Sequence, residues 1–150
     1  MKKYYLLIIL LLFTQCDYKP IYSQKNQNFG IRIIEFNENR SNKILAKRLE
    51  NYSYKKNSLF LYELKLLTSE NKLVLSKNTK GDPLLLGLKI NLKIEVYEDG
   101  KLIIKKEYNE QFNYQNLSKK FELNSYESEI RLNIYDKMIS KILIDLENLK

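Results

Sequence analysis

The 150-residue sequence has no histidine and a single cysteine, Cys16. Without histidine it lacks the usual general base of a nucleophile–base pair and the side chain most used to bind transition metals. One cysteine excludes an intramolecular disulfide. The four glycines form no phosphate-cradling loop, and no ligand spacing suits a metal. Carboxylate chemistry stays open in principle, but no carboxylate pair stands apart. The expectation is therefore a protein with no enzymatic activity, no cofactor and no metal. A membrane-spanning run is missing as well. The longest apolar stretch, Tyr4 to Phe13, has about half of the ~20 residues that cross a bilayer as a helix.

What is present begins with the order of features at the N-terminus. Lys2 and Lys3 precede the apolar run, and Cys16 follows it. That is the layout of a secretory signal peptide with a lipoprotein processing site. Residues 1–15 read as the signal peptide, and Cys16 as the lipidated N-terminus of the mature chain. Residues 16–29 read as an extended, polar tether, and residues 30–150 as one α+β domain. A domain held by an uncleaved signal anchor is the other reading of this segment.

The net charge of +8 invites a nucleic-acid reading. Export argues against it, and the lysines are dispersed rather than gathered in a block. Lysine, asparagine, isoleucine and tyrosine are all abundant, the composition that an AT-rich coding sequence produces. A solvated basic surface and an anionic partner both remain open, but nucleic acid is not expected.

Hydrophobic periodicity orders the domain. Residues 31–36 are branched and short enough for a strand. Ser41 is the expected N-cap of a helix running from Asn42 to about Tyr54, with Ile44, Leu45, Leu49 and Tyr52 on one face. Residues 59–68 suit a strand, Ser69-Glu70-Asn71 a turn, and residues 72–79 a shorter strand pairing back. Leu88, Ile90, Leu92, Ile94 and Val96 then alternate with polar residues, as in an antiparallel sheet with one buried face.

A hairpin follows at Glu98-Asp99-Gly100. A three-residue loop pairs Val96 with Leu102, Ile94 with Ile104 and Ile90 with Tyr108, which keeps the faces unmixed. That register places Lys93 opposite Lys105, with Lys89 farther along. These three lysines are the candidate contacts for an anionic ligand or partner, and a solvated face balanced by Glu95 and Glu107 is the alternative. Residues 108–123 finish the strand. Asn124 or Ser125 caps a C-terminal helix whose stripe holds Tyr135, Ile139, Ile142, Leu146 and Leu149, widened by Tyr126, Ile130, Ile134 and Met138. The expected architecture is a two-layer sandwich. Two helices lie on one face of a four- to five-stranded, mostly antiparallel sheet, and the opposite face is uncovered. Leu59, Leu61, Leu67 and Ile103 would make that face less polar than a free surface usually is.

These residues resemble the family of LPS-assembly lipoproteins known as LptE. Cys16-Asp17-Tyr18-Lys19-Pro20-Ile21-Tyr22 is similar to that family's lipid-site segment of cysteine, small residue, aromatic, basic residue, proline, aliphatic and tyrosine. Ala46-Lys47-Arg48-Leu49-Glu50-Asn51 is similar to its first helix, and Tyr62-Glu63-Leu64 and Leu88–Val96 to its strands. Tyr108-Asn109 and the helix over 127–142 resemble its closing segment. The resemblance implies a non-enzymatic outer-membrane lipoprotein. It would be anchored through lipid on Cys16, with its domain on the periplasmic side or inside a barrel. It would partner the β-barrel LptD and assist lipopolysaccharide transport and assembly. A periplasm-facing lipoprotein that binds a small anionic or lipidic ligand without a barrel is the competing expectation.

Overall fold

A computed structural model describes residues 29–37, 39–53 and 58–149. The expected signal peptide, Cys16 and residues 16–28 of the tether lie outside the described residues. Strand β1 is Phe29–Phe36 and helix α1 is Arg40–Leu49, continued by a 3-10 turn over Glu50–Tyr52. Strands β2 (Phe60–Lys77), β3 (Pro83–Glu98) and β4 (Lys101–Gln115) lead into helix α2 (Lys120–Glu147). The four strands stand in the order β1-β2-β3-β4. β1 is parallel to β2, and the other two pairs are antiparallel. This is the expected α+β arrangement, with a parallel pair because the chain crosses between β1 and β2 through a helix.

One face of the sheet carries the core. Tyr62, Leu64 and Leu66 of β2, Leu86 to Val96 at alternate positions of β3, and Tyr108 and Tyr114 of β4 pack in one cluster with both helices. α1 contributes Leu45 and Leu49, and α2 contributes eight residues from Ile130 through Leu146 at helical spacing. Leu88, Ile90, Leu92, Ile94 and Val96 are at most 1% exposed, so each contributes about 1.5–3 kcal/mol of burial. Leu149 and Tyr126, expected in the α2 stripe, are exposed instead.

Four sequence expectations are corrected. No turn forms at Ser69-Glu70-Asn71: β2 runs straight through, because residues 67–74 pair continuously with β3. The β3–β4 hairpin has the two-residue loop Asp99-Gly100, both with positive φ (48° and 75°), the geometry that Asp-Gly favours. A β-bulge at Ile103 then restores the faces, so Tyr97 opposes Leu102 while Val96 opposes Ile104. Ile90 accordingly opposes Glu110, and Tyr108 opposes Leu92. α1 is capped by Asn39 rather than Ser41: the Asn39 side chain accepts from the Asn42 N–H at 2.7 Å. α2 starts at Lys120, ahead of Asn124, because Leu123 packs on the core and draws the first turn into the helix.

The edge of β2 changes character halfway. β1 covers it from Phe60 to Leu66. Asparagines then replace the missing strand. Asn37 donates to the Thr68 carbonyl (3.3 Å) and accepts from the Thr68 N–H (3.4 Å), while Asn39 donates to the same carbonyl at 2.9 Å. Asn42 donates to the Leu66 carbonyl at 3.4 Å. Backbone groups that would otherwise be left unpaired beside the core are satisfied in this way.

Candidate partner-binding face

The sheet face turned away from the helices is built by the other half of each strand's alternation. Cross-strand pairing aligns Arg32 with Glu63, Glu35 with Lys65, Lys65 with Glu95, and Glu95 with Lys105. Lys93 opposes Leu67 on one side and Glu107 on the other. Lys93 and Lys105 therefore do not stand opposite one another as the three-residue loop required, because the two-residue loop and the bulge together move β4 by two residues from that register. Each lysine faces a carboxylate instead.

Those pairs are formed. Lys105 Nζ lies 2.8 Å from Glu95, Lys65 Nζ 2.9 Å from Glu35, Arg32 3.3 Å from Glu63, and Lys93 3.8 Å from Glu107. The Tyr97 hydroxyl donates to Glu95 at 2.9 Å, and Lys65 sits 5.4 Å from the centre of the Tyr97 ring. The hydrogen bond from Lys105, then that from Tyr97, holds the Glu95 carboxyl below its usual range. The same contact with Glu95 raises the Lys105 ammonium, and Glu35 raises Lys65. Lys89 stands between Asn71 and Gln111 and has no ion pair among the described residues.

Lys93 and Lys105 line one depression of about 320 Å³, together with Glu35, Lys65, Leu67 and Glu95. Lys89 lies four residues farther along β3, outside it. Leu67, 52% exposed, gives the depression an apolar wall. Sequence reasoning found Lys93 and Lys105 but not Glu35, which reaches the depression only through the β1–β2–β3 register, nor Tyr97, which bonds its Glu95. The outward placement of Glu63 and Lys65 on β2 was the signal that could have led to them.

A second polar group lies on the helix side of β2, beyond the asparagines. Arg131 of α2 donates to both oxygens of Glu70, at 2.8 and 2.6 Å, and Ser41 of α1 donates to Glu70 at 3.0 Å. Next to it, Tyr114 donates to the buried Glu127 at 2.7 Å, and Lys72 pairs with the same carboxylate. These contacts tie both helices to the middle of β2.

Neither a family model nor a curated protein matches the sequence. Solved structures do match the fold. Rare lipoprotein B from Shewanella oneidensis superposes with a TM-score of 0.57 at 16% identity, over 81% of this chain and 97% of that one. This chain has the fold of that lipoprotein. The same fold recurs in a minor lipoprotein from Acinetobacter baumannii, with TM-score 0.54, 18% identity, and 76% and 87% of the two chains covered. Lipoprotein B from Nitrosomonas europaea adds a third case, with TM-score 0.52, 11% identity, and 81% and 87% covered. At such identities the likeness concerns the fold alone. The depression beside Lys93 and Lys105 lies on the sheet face that no described helix of this chain covers.

Proposed function

We propose that this chain is a lipid-anchored, non-enzymatic outer-membrane protein that partners a β-barrel of the LptD kind and assists lipopolysaccharide transport and assembly. The observation that carries this reading is the lipoprotein fold, spanning nearly the whole of the Shewanella protein, in a sequence whose Cys16 comes two residues beyond an apolar leader. Two or three acyl chains on Cys16, at about 0.8 kcal/mol per buried CH₂, would anchor the domain for practical purposes permanently. The charge-bearing sheet face supports the partner role, since no described helix covers it. Lipopolysaccharide phosphates meeting Lys93 and Lys105 would displace Glu107 and Glu95, so binding would weaken as salt rises.

Purification of the tagged full chain from a Gram-negative host's membranes tests this reading. A large β-barrel in stoichiometric amount is the expected result, and its absence refutes the partnership. Intact mass of the membrane form should show acyl groups on Cys16, whereas an unmodified Met1 refutes the anchor. The depression of about 320 Å³ favours a second reading, a lipoprotein that holds a small anionic or lipidic ligand there without a barrel. A ligand recovered with the barrel-free protein would establish that alternative.

A further inference from the structure

We propose that the end of the domain built by the first turn of α2 and the β2–β3 turn rests on an anionic lipid surface. Phe121 is 82% exposed, because Leu123, two residues on and about 200° round the helix, is the side chain that faces the core. Leu117, just ahead of α2, and Leu84, at the start of β3, are 37% and 52% exposed. The Asn116 N–H donates to the Leu84 carbonyl at 2.8 Å, and its side chain donates to the Pro83 carbonyl at 2.9 Å. These bonds fix the approach to α2 against this end of β3. Large apolar side chains from separate segments are therefore held at one end of the domain without serving its core.

Their charged neighbours select the occupant. Lys77 opposes Pro83 at the base of the turn. Lys80 lies within the turn, its N–H held by Asn78 Oδ1 at 2.9 Å. Lys119 and Lys120 open α2, which begins without a side-chain cap and so adds the positive end of its dipole. Lys119 pairs with Glu122 at 2.8 Å, while Lys77, Lys80 and Lys120 have no ion pair among the described residues. Asp82, the carboxylate of the turn, is bound to the Asn78 amide instead. On the outer sheet face, by contrast, Lys65, Lys93 and Lys105 are each held by a carboxylate.

Lysines without carboxylates beside a protruding phenylalanine match the two layers of an anionic bilayer, phosphates outside and acyl chains beneath. Lysine stems can lie along the leucines while their ammonium groups stay among the phosphates. A folded partner would need a hollow shaped for Phe121, whereas a fluid interface closes round it. Residues 16–28, read as a tether, extend to about 45 Å at most. An anchor on Cys16 would therefore let the domain lean on the same bilayer with this end touching it. The contact needs no barrel, so it goes beyond the proposed function and stands or falls separately from it.

The chain has no tryptophan, so Phe121→Trp introduces a single reporter at an exposed site. The full-length chain, extracted from membranes without a barrel partner, is reconstituted into vesicles of phosphatidylcholine with and without phosphatidylglycerol. Leu59→Trp, 75% exposed just before β2 at the opposite end of the sheet, reports what tethering alone does. With phosphatidylglycerol, Phe121→Trp emission should shift to the blue and be quenched by brominated acyl chains several-fold more than Leu59→Trp. High salt should reduce that quenching. Lys119→Glu with Lys120→Glu, added to the Phe121→Trp chain, should lower it to the Leu59→Trp level. Acidic residues suit a helix N-terminus, so those changes leave α2 intact, as circular dichroism would verify. Equal quenching at the two positions, or none at Phe121→Trp, overturns the proposal. Quenching that neither phosphatidylglycerol nor salt alters overturns the anionic surface as the partner. A tryptophan shielded only when a barrel is added, and not by brominated lipid, assigns this end to a protein and overturns it as well. Failure of a barrel to co-purify while the lipid contact persists would refute the proposed function alone.

Discussion

The two faces of β3 are built from neighbouring residues and obey different rules. On the helix side Leu88, Ile90, Leu92, Ile94 and Val96 are sealed off from water. On the other side Lys89, Asn91, Lys93, Glu95 and Tyr97 meet charged or polar cross-strand neighbours in nearly matched pairs. The fold needs the first set for its core and takes little from the second, since exposed ion pairs are screened and costly to hold in place. A surface that folding does not require to be charged is free to serve a partner. The comparison therefore predicts that damage on the helix side shows in stability, and damage on the outer side in binding.

The sharpest way to break that comparison is to open the core. Leu92→Ala removes a side chain with no exposure from the centre of β3, and about 3 kcal/mol of stability should be lost. Urea unfolding followed by circular dichroism measures it. A loss below about 1 kcal/mol would mean that the helices do not seal this face. The clasp between Glu70 and Arg131 comes next. It is half-buried, and Glu70→Ala would leave Arg131 without its carboxylate, costing about 1–2 kcal/mol after allowance for screening by water. The Arg131 hydrogen bonds hold the Glu70 carboxyl below its ordinary value of 4.5. A depressed carboxylate contributes its stability above the unfolded pKa and loses it as pH falls through the folded one. Stability of the wild type should therefore fall as pH drops below about 4.5, and Glu70→Ala should flatten that part of the profile.

Periodicity revealed the helix-side face of β3, both helices and the two-layer plan, because alternation and the 3.6-residue stripe are local signals. The hairpin register was not legible. A two-residue Asp99-Gly100 loop mixes the faces unless a bulge intervenes, and Ile103 carries no residue-level mark of a bulge. The same limit hid the pairing of Lys93 with Glu107. Ser69-Glu70-Asn71 has turn composition, yet continuous pairing with β3 overrides it, since a long neighbouring strand supplies partners at every position. Glu70 looks like a turn residue in sequence, and its partner Arg131 is 61 residues away. Asn39 and Ser41 are both good caps; Asn39 prevails because its side chain also reaches the Thr68 carbonyl.

Smaller effects sharpen the contrast at the boundary between covered and open edge. Asn39→Ala removes the α1 cap and a bond to β2 together, so about 1 kcal/mol should be lost. Asn39→Asp should recover most of the capping part, because a carboxylate still accepts from the Asn42 N–H. It should not recover the donor to Thr68, so the remaining loss in thermal unfolding isolates that bond. Full recovery would show that the asparagines do not seal the β2 edge.

The least effect on stability belongs to the outer face, and there its smallness is the point. Lys105 and Glu95 are paired at 2.8 Å but exposed to solvent, so Lys105→Ala should leave the urea midpoint within error of wild type. The charge reversals Lys93→Glu and Lys105→Glu, made together, oppose Glu107 and Glu95 and should lower the midpoint only slightly, and less in high salt. The same pair of changes should weaken capture of lipopolysaccharide or barrel strongly if this face meets an anionic partner. Unchanged binding alongside unchanged stability would make the lysines a solvated surface. A large loss of stability would mean that the outer face is as structural as the inner one, and the distinction between the two faces of β3 would fail.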